Sequence, residues 1–195
     1  MRRFLLLLLL LLLPLQADAG WYYGATAAAP ACTTAADVCA GQQDKNIPVG
    51  GTVKYYSTMF VAAATTTLCK FTVKLKEVGS FPGSIYLSVW TDDGGDSPTD
   101  ATGEIDESTD TAESADIGDT YGDVTFENIS VPVTQGTKYH VVLRSTTSDA
   151  ANYVAWAAEV DDCAPAGNED ICYSASGASW SAYLYNEGGE FQAYK

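Results

Sequence analysis

The chain has 195 residues and a formal net charge of −15, with 10 Lys and Arg against 25 Asp and Glu. Binding nucleic acid or an anionic lipid surface requires Lys and Arg to neutralise phosphates, so this composition argues against both as partners. Strong negative charge suits solubility outside the cell, or the binding of cations.

The first element in chain order is a leader. Arg2 and Arg3 precede an apolar run from Phe4 to Leu13 that is nearly all leucine, and Ala17-Asp18-Ala19 has the small-x-small form that signal peptidase cleaves. Residues 1–19 are expected to be a signal peptide, with Gly20 as the mature N-terminus. The run is short for a bilayer span of about 20 residues, which makes a retained signal anchor the weaker alternative. No Cys follows the cleavage point, as a bacterial lipoprotein would need. No later segment is long and apolar enough to span, and the C-terminus shows no sorting signal. The mature chain is expected to be secreted, with no membrane association after signal removal. Cleavage leaves about 176 of the 195 residues, and losing Arg2, Arg3 and Asp18 takes the net charge from −15 to about −16. That length supports one domain with a sizeable core.

Residues 20–48 are rich in Ala, Thr and Gly and keep no period, so they are expected to form an irregular N-terminal segment before a domain over 49–195. "KYYSTMFVAA" opens the strand-like region. "CKFTVKLKEV" alternates Cys69, Phe71, Val73 and Leu75 with Lys70, Thr72, Lys74 and Lys76, the period-2 signature of a half-buried strand. "GSIYLSVWT" alternates again through Ile85, Leu87 and Val89. The intervening "SFPG" is a turn, which predicts a hairpin. Asp92 to Asp123 is acidic, lacks Lys and Arg, and is expected to be a long loop with one short strand near Glu104–Ile105. In "GDVTFENISVPV" the apolar phase slips between Phe126 and Ile129, which predicts a bulge near Asn128. "TQGTKYHVVLRS", "NYVAWAAEV", "DICYSAS", "SAYLYN" and "EFQAYK" complete about nine short strands without a helix, the pattern of an antiparallel sandwich or barrel.

The five cysteines are Cys32, Cys39, Cys69, Cys163 and Cys172. Export favours disulfides. The local pairs Cys32/Cys39 and Cys163/Cys172 would each staple a loop, leaving Cys69 as a buried thiol in line with Phe71. No C-x2-C spacing occurs and the chain has a single His, which argues against zinc.

"VKLKEVGSFPGSIYLSVWTDDGGDSP", "VTFENISVPVTQGTKYHVVLRS" and the aromatic "NYVAWAAE" together resemble the jelly-roll modules known as choice-of-anchor domains, R type, of secreted bacterial proteins. The resemblance covers about residues 53–195 and rests on turns and strand alternation. It implies an all-β antiparallel sandwich of jelly-roll type. Such modules carry C-terminal anchors. This chain ends at its last strand, so free secretion or a partner-held state is the expectation.

Three sets of residues are candidates for chemistry. Asp92, Asp93 and Asp96 suggest calcium, which takes six to eight oxygens. Counted from Asp92, the EF-hand positions fall on Gly94 and Ser97, so that template fails. A calcium site would draw on a second loop, through Asp161 and Asp162, with Glu169 and Asp170 nearby. The alternative is a solvated turn. Trp90, Trp156, Trp180, Tyr183 and Tyr185 lie outside the aliphatic rows of their strands and are candidate ligand contacts, since aromatic faces stack on sugar rings and carboxylates bind hydroxyls. The alternative is core filling. His140 is the only base for a Ser-His-Asp triad, and no Gly-x-Ser-x-Gly elbow accompanies it. Asn128-Ile129-Ser130 matches a glycosylation sequon, which has meaning only in a eukaryotic host. The expected function is a secreted non-catalytic binding or adhesion module for a glycan or surface polymer. A structural subunit of an extracellular or envelope assembly, packing against copies of itself, is the alternative, followed by a small secreted hydrolase.

Overall fold

The computed structural model describes residues 32, 35–39, 45–100, 102–160, 170–185 and 187–195. The expected signal peptide lies outside them. Cys32–Lys195 forms one compact unit. The described strands are β1 (Ala35–Cys39), β2 (Lys45–Val49), β3 (Tyr55–Val61), β4 (Thr66–Leu68), β5 (Lys70–Val78), β6 (Ser84–Thr91), β7 (Glu104–Glu113) and β8 (Gly122–Phe126). They continue as β9 (Val131–Val133), β10 (Lys138–Ser145), β11 (Tyr153–Val160), β12 (Asp170–Ser174), β13 (Ser181–Tyr185), β14 (Glu187–Gly189) and β15 (Phe191–Tyr194). All pairings are antiparallel. The fold is all-β, as the alternation predicts, and no helix among the described residues is long and apolar enough to cross a membrane.

One sheet runs β1-β15-β5-β11-β14, with β2 also on β11 and β8 also on β5; the other runs β13-β12-β3-β10-β6-β7; β4 and β9 form a small third ladder. The two large sheets share one core. Phe71, Val73 and Leu75 of β5 meet Ile85, Leu87 and Val89 of β6 and Val141 and Leu143 of β10 in a single buried cluster. Lys70, Thr72, Lys74 and Lys76 stand on the other face of β5, half-buried.

Several expectations need correcting. "SFPG" does not close a hairpin, because β5 and β6 belong to different sheets. Gly79 (φ +76°) turns the chain out of β5. Phe81 is buried between the sheets, and its N–H donates to Glu77 at 2.6 Å. The apolar rows of β5 and β6 therefore face each other across the core instead of lying side by side. The phase slip near Asn128 is a break between β8 and β9, turned by Asn128 itself at φ +54°, a left-handed conformation that Asn tolerates. The acidic stretch holds a ten-residue strand, β7, at the end of the second sheet's order. Its inward positions are small, Ser108 and Ala112 among them, so the apolar signal is weak. β1 and β2 fall in the stretch expected to be irregular. β2 contains Pro48, which lacks the N–H needed by a central strand and sits on a strand paired only with β11 among the described residues.

The cysteine pairing also differs. Cys32 is bonded to Cys69, with Cα atoms 6.0 Å apart. The local Cys32/Cys39 staple and the reading of Cys69 as a free thiol are both overturned. Cys163 lies outside the described residues. Cys172 is buried on β12, its sulfur 3.7 Å from the Ser97 hydroxyl.

Candidate functional site

Strand alternation leaves one face of the second sheet away from the core, yet the middle of that face is also buried. Ser57, Met59, Ser88, Trp90, His140, Val142 and Cys172 are all almost inaccessible. Two loops lie on it. The first, 92–103, follows β6; the second, 175–180, joins β12 to β13.

The first loop is shaped by its own aspartates. The N–H of Gly94 donates to Asp92 Oδ1 at 2.8 Å, and the N–H of Gly95 donates to Asp93 Oδ1 at 2.7 Å. The Ser97 N–H reaches the same Asp93 oxygen, and Asp93 N–H donates to the Ser97 carbonyl at 2.9 Å. Gly94 and Asp96 take positive φ, so the chain reverses tightly. Two side chains then tie the loop to β10. His140 Nε2 lies 2.9 Å from Asp92 Oδ2, and Lys138 Nζ pairs with Asp96 Oδ1. A carboxylate acceptor places the imidazole proton on Nε2. His140 is fully buried, and its Nδ1 has no hydrogen-bond partner among the described residues. Burial opposes ionisation of Asp92, but hydrogen bonds from His140 and the Gly94 N–H, with the charges of His140 and Lys138, hold its carboxyl below the usual range. The hydrogen bond to Asp96 pushes the Lys138 ammonium up.

The expected calcium ligands are thus brought to one loop, but their carboxylates diverge. Asp92 serves His140, Asp96 serves Lys138 and Asp93 caps backbone N–H groups. Among the described residues, no group of three His, Cys, Asp or Glu gathers in a way that could hold a metal ion. Asp161 and Asp162 lie outside the described residues.

The second loop is anchored by Ser174 Oγ, which accepts from the Gly177 N–H at 2.9 Å. Gly177 has φ +77°, and a Cβ there would stand 3.2 Å from the Trp90 ring and 3.4 Å from Tyr55. Glycine therefore lets the loop settle on both rings. Trp180 follows, half-buried, edge-on to Trp90 at 5.5 Å and to Tyr55 at 6.3 Å. Between the two loops lies a groove of about 350 Å³, lined by Asp93, Ser97, Thr99 and Asp100 on one side and Ser179 and Trp180 on the other.

The predicted aromatic contacts separate here. Trp90 is buried beneath Trp180, its Nε1 donating to Ser88 Oγ at 2.7 Å. Trp156 shares the inward row of β11 with Val154 and Ala158 and is fully buried in the core, contrary to its expected phase. Its Nε1 donates to the Glu190 carbonyl at 2.8 Å, and Gly189 leaves room for its ring. Neither indole stands on an exposed platform. Tyr183 and Tyr185 lie on β13, and their side chains are outside the described residues. Among the predicted contacts with described side chains, Trp180 lines the groove.

Sequence reasoning missed a row beside it. Tyr55, Arg144 and Tyr86 are cross-strand neighbours on β3, β10 and β6. All three are half-buried. The Arg144 guanidinium stacks 4.1 Å over the Tyr86 ring and forks onto Glu107 at 2.9–3.3 Å. Partial burial and the charges of Glu107 and Asp106 push the Glu104 carboxyl up, against the pull of Arg144. Only the non-core phase of Tyr55, Tyr86 and Arg144 signalled this row in the sequence.

With this geometry in view, comparison with known proteins finds no matching family model, no matching curated protein and no matching solved structure.

Proposed function

We propose that the protein is a secreted, non-catalytic binding or adhesion module whose ligand is a glycan or surface polymer, taken at the groove between loops 92–103 and 175–180. The observation that carries this reading is Trp180, a half-buried indole fixed by two other rings and facing the same groove as the carboxylates of Asp93 and Asp100. An indole face covers the apolar face of a sugar ring, and an aromatic held by its neighbours loses little conformational freedom on binding. Carboxylates at the rim accept hydrogen bonds from hydroxyls. The Cys32–Cys69 disulfide and the leader sequence support export. The sequence resemblance to choice-of-anchor modules supports a jelly-roll order of strands and a secreted protein. Calcium enters this reading through Asp92, Asp93 and Asp96 together with Asp161 and Asp162, of which the last two lie outside the described residues. An assembly role draws less support, because β7, at the end of its sheet's order, carries Glu104, Asp106 and Glu113, and charged edges discourage strand addition.

The test is a glycan array probed with the secreted chain and with Trp180→Ala, each with and without calcium. Binding that falls at least tenfold in a variant with an unchanged melting curve supports the groove. An array on which the wild-type chain binds no saccharide removes the reading.

A further inference from the structure

We propose that the site does not end at the groove but continues across the outer face of the second sheet over Tyr55, Arg144 and Tyr86, so that the ligand is a linear, uncharged saccharide of several units. This inference rests on the glycan reading and adds the length and charge class of the ligand.

Trp180 packs edge-on against Tyr55, with ring centroids 6.3 Å apart, and against Trp90 at 5.5 Å. Tyr55 is directly opposite Arg144, which is directly opposite Tyr86. Neighbouring strands are about 4.8 Å apart, so Tyr55 and Tyr86 are separated by about 10 Å along a line perpendicular to the strands. Phenol, guanidinium and phenol thus form one row about 10 Å long, with the Trp180 indole packed against Tyr55. The core does not account for the row, since Tyr55, Tyr86 and Arg144 occupy the phase opposite Leu87 and Leu143. The Arg144 side chain is held flat on Tyr86 and forked by Glu107, so it presents a fixed polar plane.

The charges along the track select against acidic polymers. The cations Lys138 and Arg144 are already matched, by Asp96 and Glu107, and His140 is bound to Asp92. The groove adds Asp93 and Asp100, and the whole chain carries a net charge of −15. A uronate or sulfated chain would meet repulsion with no free cation among these residues to offset it, whereas hydroxyl groups find acceptors throughout.

The experiment measures affinity against chain length. Neutral β-glucan, mannan, xylan and chitin oligomers of one to six units are compared with oligogalacturonates, using wild type, Trp180→Ala and Tyr86→Ala, with thermal melts as the folding control. The expected result is at least tenfold tighter binding of the longer neutral oligomers than of single sugars in one series. Tyr86→Ala should remove most of that gain, and Trp180→Ala should weaken every length. Affinity that is flat with length, a Tyr86→Ala protein with wild-type length dependence, or preference for oligogalacturonates overturns the extended track while leaving the groove reading standing. Absence of binding in every series overturns both.

Discussion

At the scale of single residues, two buried side chains show how position overrides type. His140 faces away from the core, yet it is inaccessible because Asp92 and its loop cover it. Asp92→Ala would leave the Nε2–H of His140 buried without an acceptor, which costs about 1–3 kcal/mol at pH 7. The folded-state pKa of Asp92 lies below its ordinary 3.8. The hydrogen bonds its carboxylate accepts therefore contribute stability that is full above that pH and is lost as pH falls through the folded-state value. Denaturant titrations of wild type and variant should differ fully at pH 7, begin to converge near pH 3.8 and meet only below the lower folded-state value. Trp156 is the second case. A Cβ on Gly189 would stand 2.5 Å from its indole, and that ring is locked in the core. Gly189→Ala should destabilise the fold by about 1–3 kcal/mol in urea, since an overpacked rigid ring has nowhere to move.

At the scale of elements, the N-terminal end of the described chain is tied to the start of β5. Cys32–Cys69 closes a sequence separation of 37, and β1 pairs with β15, the last strand. Cross-linking a loop of that length removes unfolded-state entropy worth about 3–4 kcal/mol. Reduction, or the double substitution Cys32→Ser with Cys69→Ser, should lower the melting temperature, whereas Cys39→Ser should leave this bond intact by mass mapping. The arch at Phe81 works on the same scale. A turn-like sequence becomes a crossing between sheets because Phe81 has a core to enter.

At the scale of the whole molecule, a net charge of −15 sets a background of self-repulsion. Salt at about 0.15 M shortens the screening length to about 8 Å, so sodium chloride should raise the melting temperature from its low-salt value. Calcium at equal ionic strength provides the comparison: a rise beyond that of sodium, reversed by chelator, would identify a bound ion.

The sequence by itself determined the all-β class, the antiparallel pairing and the inward rows of β5, β6 and β10. These follow from period-2 alternation, a local property that fixes which side of a strand is apolar. It also marked Trp180 and the Asp92–Asp96 loop. Only the tertiary structure decided which strand lies across from which. It moved β5 and β6 into opposite sheets, joined Cys32 to Cys69, sent Trp156 inward and buried His140 under a loop. It also set Tyr55, Arg144 and Tyr86 in one row beside Trp180. Alternation is blind to the partner across the core and to what covers the outer face, because both depend on chain segments far apart in sequence.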